Sequence, residues 1–250
     1  MKPLTKTLTE KAQTEKLFVP YIMAGAQGLD NLPEEIAMLA EQGAAAIELG
    51  VPFSDPVADG PTIQAAGLRA FEHQVTLKKL IAVLQEIDAA VPLILMGYSN
   101  SFFHYGIKQL VKDLAGTDVQ GLIIPDLPYE HRDLAVPELG DIALLQLVSL
   151  TSPQERIQQL VAEAEGFIYA VTVNGITGTD QNFRQDLLDH LAQVKAVSKI
   201  PVLAGFGISR KEHVENFQQV CDGVVIGSKI VQSLQENGTK KTGELIAQII

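Results

Sequence analysis

Eight short apolar runs recur along the 250 residues, each followed by a loop of glycine, proline, aspartate or serine and, in most units, by a helical pattern. Together with the length, that alternation predicts an α/β fold: a (β/α)8 TIM barrel with extra helices, built as one domain over residues 1–250. The runs are continuously apolar rather than alternating, as the strands of a parallel sheet covered by helices must be. Eight of them in a chain of this size favour a closed barrel over an open doubly wound sheet. No linker or low-complexity tract interrupts the series.

Taken in order, Leu17–Met23 (LFVPYIM) reads as the first strand. Asp30 or Asn31 then caps a helix with Pro33 in its first turn and apolar residues at Ile36, Leu39 and Ala40. Residues 45–49 give the second strand, and the long loop after it leads into two helical patterns, 62–72 and 76–90. That unit therefore carries an extra helix. The third strand is 92–96, followed by a short helix over Ile107–Leu114. The fourth, 121–124, is broken by Pro125-Asp126-Leu127-Pro128 before a helix over 129–138. The fifth is expected as one piece, 142–148, after which Thr151-Ser152-Pro153 opens a helix with a capping residue and an early proline. The sixth strand, 167–173, runs into a Gly/Thr-rich loop and a helix over 184–197. The seventh, 200–203, and the eighth, 224–226, lead into Gly205-Phe206-Gly207 and Gly227-Ser228.

Composition removes several functions. With 19 Lys+Arg against 30 Asp+Glu the formal charge is −11, and no basic cluster occurs, so neither nucleic acid nor an anionic membrane is an expected partner. A phosphorylated ligand would have to be held by backbone N–H groups and helix dipoles. The single cysteine, Cys221, offers no disulfide framework and no thiolate cluster, and the five histidines lack ligand spacing. No metal is expected. The N-terminal MKPLTKTLTEKAQTEK lacks the apolar core of a signal peptide, and no apolar run reaches membrane-spanning length, so a cytoplasmic location is expected.

The stretch that stands apart is residues 45–64, AAIELGVPFSDPVADGPTIQ. An apolar strand is interrupted there by one carboxylate, Glu48, and the punctuated loop that follows adds Asp55 and Asp59. An ionised side chain in an apolar strand costs several kcal/mol unless it is paired or keeps its proton. The bland reading is a satisfied ion pair or a Glu facing solvent. The sharper one is a Glu with a raised pKa beside an aspartate in a more polar loop, two carboxylates suited to acid–base work.

A second group of residues lies at the C-terminal strand ends, where barrels place their sites and often hold phosphate after strands seven and eight. Gly205-Phe206-Gly207-Ile208-Ser209 follows strand seven, Gly227-Ser228 follows strand eight, and Gly175-Ile176-Thr177-Gly178 follows strand six. One such loop would be an ordinary tight turn; three in neighbouring loops read as a phosphate cradle.

The motif GVPFSDPVADGPTIQ closely resembles the signature of the tryptophan synthase alpha chain family, including Glu48 and both loop aspartates. PYIMAG, IIPDLP, GITG, AGFGIS and IGSKIV extend the resemblance nearly end to end. The resemblance implies a lyase that splits indole-3-glycerol phosphate into indole and D-glyceraldehyde 3-phosphate by a retro-aldol reaction. It implies no cofactor, and a complex with the tryptophan synthase beta chain, an alpha2-beta2 assembly in which the beta chain consumes the indole. By position, Glu48 and Asp59 match the catalytic pair, Tyr169 a tyrosine near the substrate, and Thr177 a loop residue that orders the aspartate. Gly178, Gly207, Gly227 and Ser228 match phosphate-binding positions, and Tyr21 an aromatic position lining the indole pocket. Asp55 and Pro56 fall where the second loop faces the beta chain. The chain departs from the family pattern at Ala26-Gln27, Thr172-Val173 and Ser101. Two rival readings are another phosphate-sugar barrel, against which the lack of a strand lysine counts, and a catalytically idle barrel serving as a binding partner.

Overall fold

In the computed structural model, which describes residues 1–149, 151–171, 181–205 and 207–250, nine strands form one sheet. They are β1 (Leu17–Met23), β2 (Ile47–Gly50), β3 (Leu93–Met96), β4 (Val119–Ile123), β5 (Ala143–Leu144), β6 (Gln146–Ser149), β7 (Ile168–Val171), β8 (Val202–Gly205) and β9 (Gly223–Ile226). The order is β5-β4-β3-β2-β1-β9-β8-β7-β6, and the paired strands run parallel. The two ends of that order are consecutive in the chain, with Leu145 alone between them. The sheet thus comes round on itself as the expected barrel.

The fifth strand is the point of difference. Instead of one piece over 142–148, β5 pairs with β4 (Gly121↔Ala143) and β6 pairs with β7 (Gln146↔Ile168). One segment serves two neighbours at different heights, and its ladder changes sides between them. Across the change, the Leu145 N–H still donates to Leu122 O at 2.9 Å, while the Leu144 N–H turns to the Glu165 carboxylate at 2.9 Å.

Strand alternation sorts the side chains into two layers. Phe18, Ile22, Ile47, Leu49, Leu93, Leu95, Val202 and Val224 face outward and pack under the helices. Leu17, Val19, Ala46, Ile94, Ile123, Leu203 and Val225 fill the inside. Helix α1 (Pro3–Lys11) adds Leu4 and Leu8 to that inner cluster and plugs the N-terminal end of the barrel. Its Thr5 hydroxyl accepts from the Gly166 N–H at 2.7 Å, and Lys2 pairs with Glu165 at 2.9 Å. The outer layer is built by α2 (Leu32–Glu41), α3 (Pro61–Glu72), α4 (Leu77–Leu84), α5 (Ser99–Tyr105), α6 (Ile107–Leu114), α7 (Gln154–Ala162), α8 (Gln181–Val197), α9 (Lys211–Gln218) and α10 (Ser228–Ile249). The last is broken at Gly238, whose φ of 74° and ψ of 179° leave the helical region.

Several local expectations are corrected by particular contacts. The pattern 76–90 is helical only over α4, because the Asp118 carboxylate takes the Ala89 N–H at 2.8 Å and draws the chain into a turn. The helix expected over 129–138 is two 3-10 turns, Tyr129–Leu134 and Val136–Glu138, since Pro137 has no N–H to donate to the carbonyl four residues back, as a continuous α-helix requires. Neither Thr151 nor Ser152 caps α7. The Ser149 and Thr151 hydroxyls bond each other at 3.0 Å, and the cap position falls on Pro153. Asn31 occupies the cap of α2 without a capping bond, its amide donating back to Gln27 O instead.

Candidate active site

Cα pairing sets Tyr21 of β1 beside Glu48 of β2, and Glu48 beside Ile94 of β3. Because Ile47 and Leu49 belong to the outer layer, Glu48 points into the barrel, where it is 1% exposed. Burial, and then the nearby Asp59 charge, push its pKa up to about 8. Its Oε2 and the Tyr21 hydroxyl are buried without a hydrogen-bond partner among the described residues. Two unpaired polar atoms on neighbouring strands are costly for folding alone, and a bound molecule would pair them.

Asp59 reaches the same space from the loop between β2 and α3. It is half-buried, and burial raises its pKa to about 6 against the opposing effect of a hydrogen bond from Tyr98. Near pH 7 the pair is therefore split: Glu48 keeps its proton and Asp59 has lost its own. Around them stand Tyr21, Tyr98 and Tyr169, each held above the ordinary tyrosine range first by burial, with the two carboxylates adding to the shift of Tyr21 and Tyr169.

Glycines make room for two of these rings. A Cβ on Gly50 would lie 2.0 Å from the Tyr21 hydroxyl, and one on Gly205 would lie 2.3 Å from Tyr169 Cε1. In both cases the glycine sits two residues beyond the tyrosine's Cα partner on the next strand (Tyr21↔Glu48, Tyr169↔Leu203), so each ring leans toward the barrel mouth.

The phosphate end is assembled by neighbouring strands. β8 pairs with β9, so Gly207 and the Gly227-Ser228 turn emerge side by side. Gly207 has φ +66°, a backbone shape that favours glycine. Ser228 is the first residue of α10, and the earliest amide of that helix bonded to Gly227 O is that of Ile230, at 2.9 Å. The Ser228 and Lys229 N–H groups precede it at the positive end of the helix. Thr177 and Gly178 lie outside the described residues. Asp55 is exposed, bonded by the Ser54 hydroxyl at 2.5 Å, beside a partly exposed Pro56 and Val57, which is 84% exposed.

A family model described as Tryptophan synthase alpha chain matches residues 8–249. The chain belongs to the tryptophan synthase alpha chain family. It is 56% identical over 242 residues to the tryptophan synthase alpha chain of Streptococcus sanguinis, covering 93% of each chain. It is 54% identical over 247 residues to that of Listeria welshimeri, covering 97% of this chain and 96% of the relative. Among solved structures, tryptophan synthase subunit alpha from Campylobacter jejuni superposes with a TM-score of 0.88 at 32% identity, covering 96% of this chain and 98% of that one. An aminoacrylate-bound tryptophan synthase from M. tuberculosis superposes with a TM-score of 0.86 at 30% identity over 100% of both chains. As a tryptophan synthase alpha chain the protein is a lyase of tryptophan biosynthesis, cleaving indole-3-glycerol phosphate to indole and D-glyceraldehyde 3-phosphate by a retro-aldol reaction.

The structure thus brings together Glu48, Asp59, Tyr21 and Tyr169 at the mouth, with Gly207, Gly227 and Ser228 on its β8–β9 side. Sequence reasoning overlooked Tyr98, buried and stacked on Phe53 with ring centroids 4.8 Å apart. The available signal was its position, just past the C-terminal end of the third strand. Asp126, just past β4, accepts from Ser99 N at 2.8 Å and Ser99 Oγ at 2.7 Å. Its brace falls on the loop after β3.

Proposed function

We propose that Glu48 is the acid and then the base of the cleavage, and that Asp59 is the ionised partner of the indole N–H. Indole is a poor carbanion leaving group, so C3 must be protonated before its bond to the glycerol chain can break. A buried carboxyl that still holds its proton near pH 7 supplies it. The positive charge then developing at the indole nitrogen is met by Asp59, which is ionised at the same pH. The electrons of the breaking C–C bond return to the ring. The glycerol hydroxyl gives its proton to Glu48, which restores the acid and leaves the aldehyde. Gly207, Gly227 and Ser228, with Gly178, hold the phosphate, Thr177 orders the aspartate, and Tyr21 and Tyr169 wall the indole. This chemistry calls on no cofactor.

What carries the reading is the opposite protonation of two adjacent carboxyls, one of them with an unpaired buried oxygen. It predicts a bell-shaped dependence of kcat/KM on pH. Activity should rise as Asp59 ionises near pH 6 and fall as Glu48 loses its proton near pH 8. Rates measured from pH 5 to 9 check this, and a profile flat across that span would refute the split.

The second half of the proposal is a tryptophan synthase beta chain docked at the barrel mouth, in an alpha2-beta2 complex in the cytoplasm. What supports it is a set of exposed apolar side chains following three successive strands: Val57, Phe103 and Leu134, at 84%, 36% and 59% exposure. Asp55 and Pro56 lie beside the first of these, on the loop that carries Asp59. A partner seated there would favour one arrangement of that loop by its differential affinity. Added beta chain should therefore raise kcat by about 10- to 100-fold. Asp55→Ala should blunt the rise and leave the basal rate nearly unchanged. Steady-state indole release with and without beta chain measures both, and an isolated chain already at the complex's rate would exclude loop ordering by the partner.

A further inference from the structure

Tyr98 is buried just past the C-terminal end of β3, at the N-cap of α5. Its ring stacks on Phe53 at 4.8 Å between centroids and 20° between planes. Its hydroxyl accepts the Ala58 N–H at 2.9 Å, which leaves its own proton for the neighbouring Asp59 carboxylate, whose pKa the tyrosine lowers. Phe53 and Ala58 lie on the loop after β2 that carries Asp59, so one side chain from the next strand end holds that loop by both its ring and its hydroxyl. Tyr98 is itself seated from a third strand end: Asp126, after β4, holds the backbone and hydroxyl of Ser99 at 2.8 and 2.7 Å.

We infer that Tyr98 is a positioning residue for the reaction, fixing the catalytic loop by its ring and orienting the ionised Asp59 carboxylate by its hydroxyl. The inference rests on Asp59 being the partner of the indole N–H. The groups facing Asp59 are Glu48 on β2, Tyr21 on β1, Tyr169 on β7 and Tyr98, with Asp126 acting on Tyr98 from behind. Tyr98 holds the aspartate's pKa down against burial. Gln64 binds the Asp59 main chain, its amide donating to the carbonyl at 2.8 Å.

The test is Tyr98→Phe, which keeps the ring on Phe53 and removes only the hydroxyl. A hydrogen bond to a carboxylate favours the ionised form by about three- to tenfold, so the acid limb of kcat/KM should move up by roughly half to one pH unit. At pH 6.5 the limb shift alone lowers the rate by about 1.5- to threefold, and the lost orientation of the carboxylate adds to it, so that kcat should fall about tenfold while KM changes less than about threefold. A purely structural role would lower the melting temperature or the active fraction and leave the limb in place. Asp59→Asn is measured beside it. An inactive D59N with a Y98F of wild-type limb and kcat overturns the role of Tyr98 alone. A D59N with wild-type turnover overturns the assignment of Asp59, and the role of Tyr98 with it. If Y98F does not fold, the limb is read in Ser99→Ala, which loosens the seat of Tyr98 and should shift it the same way by a smaller amount; an unmoved limb there overturns the inference.

Discussion

Glu48→Gln is expected to abolish indole formation, lowering kcat by about 10²- to 10⁴-fold, the usual contribution of a general acid–base group. Glutamine matches the shape of the protonated glutamate and cannot give up a proton. The fold should survive the change and, at alkaline pH, gain from it. The sign follows from linkage. The unfolded glutamate titrates near its ordinary value of 4.5, and the folded one near 8 because burial and then Asp59 disfavour its charge. Between those values the folded chain binds the extra proton, so stability declines as pH rises from about 4.5 to about 8. The loss is complete above that. E48Q carries no such penalty, so its melting temperature should exceed the wild type's at pH 9 and approach it at pH 5. Indole release from indole-3-glycerol phosphate, with melting curves at both pH values, reads the two halves separately. Turnover above about a tenth of wild type would remove Glu48 as the essential acid.

Ser228→Asp is expected to separate affinity from stability in the same way. Ser228 is exposed and opens α10, where an acidic side chain complements the helix dipole and stabilises by about 0.3–1 kcal/mol. The same charge occupies the end of the dipole that the substrate phosphate needs. Loss of that attraction, with repulsion added, should weaken a non-hydrolysable phosphonate analogue by roughly 30-fold or more, equivalent to about 2 kcal/mol. Indole-glycerol lacking the phosphate should bind both proteins alike. Titration calorimetry with the two ligands makes the comparison, and unchanged affinity for the phosphonate would move the phosphate site away from α10.

Sequence alone determined those parts of the protein that depend on local pattern and residue chemistry. The eight apolar runs could bury themselves only as parallel strands under helices, and β1 appeared at its observed bounds, Leu17–Met23. Glu48 stood out because no packing argument places a glutamate between Ile47 and Leu49. Gly207 and Gly227-Ser228 stood out because glycine at neighbouring strand ends suits an anion. Helix α1 escaped notice because its apolar face is only Leu4 and Leu8, two leucines that acquire meaning once the open end of a barrel lies over them.

Tertiary structure decided everything that joins distant positions. Nothing in the run 142–148 says that its first half will pair with β4 and its second with β7; that is imposed by closing the sheet on itself. Nor can Tyr98 be seen reaching Ala58 across 40 residues of chain, since a hydrogen bond of that span leaves no periodicity to read. The protonation split belongs here too. Glu48 and Asp59 carry the same functional group, and only burial, the Asp59 charge acting on Glu48 and the Tyr98 hydroxyl acting on Asp59 set one near pH 8 and the other near pH 6. Residue types determine which chemistry is possible, while desolvation and neighbours at hydrogen-bond distance determine which carboxyl holds the proton.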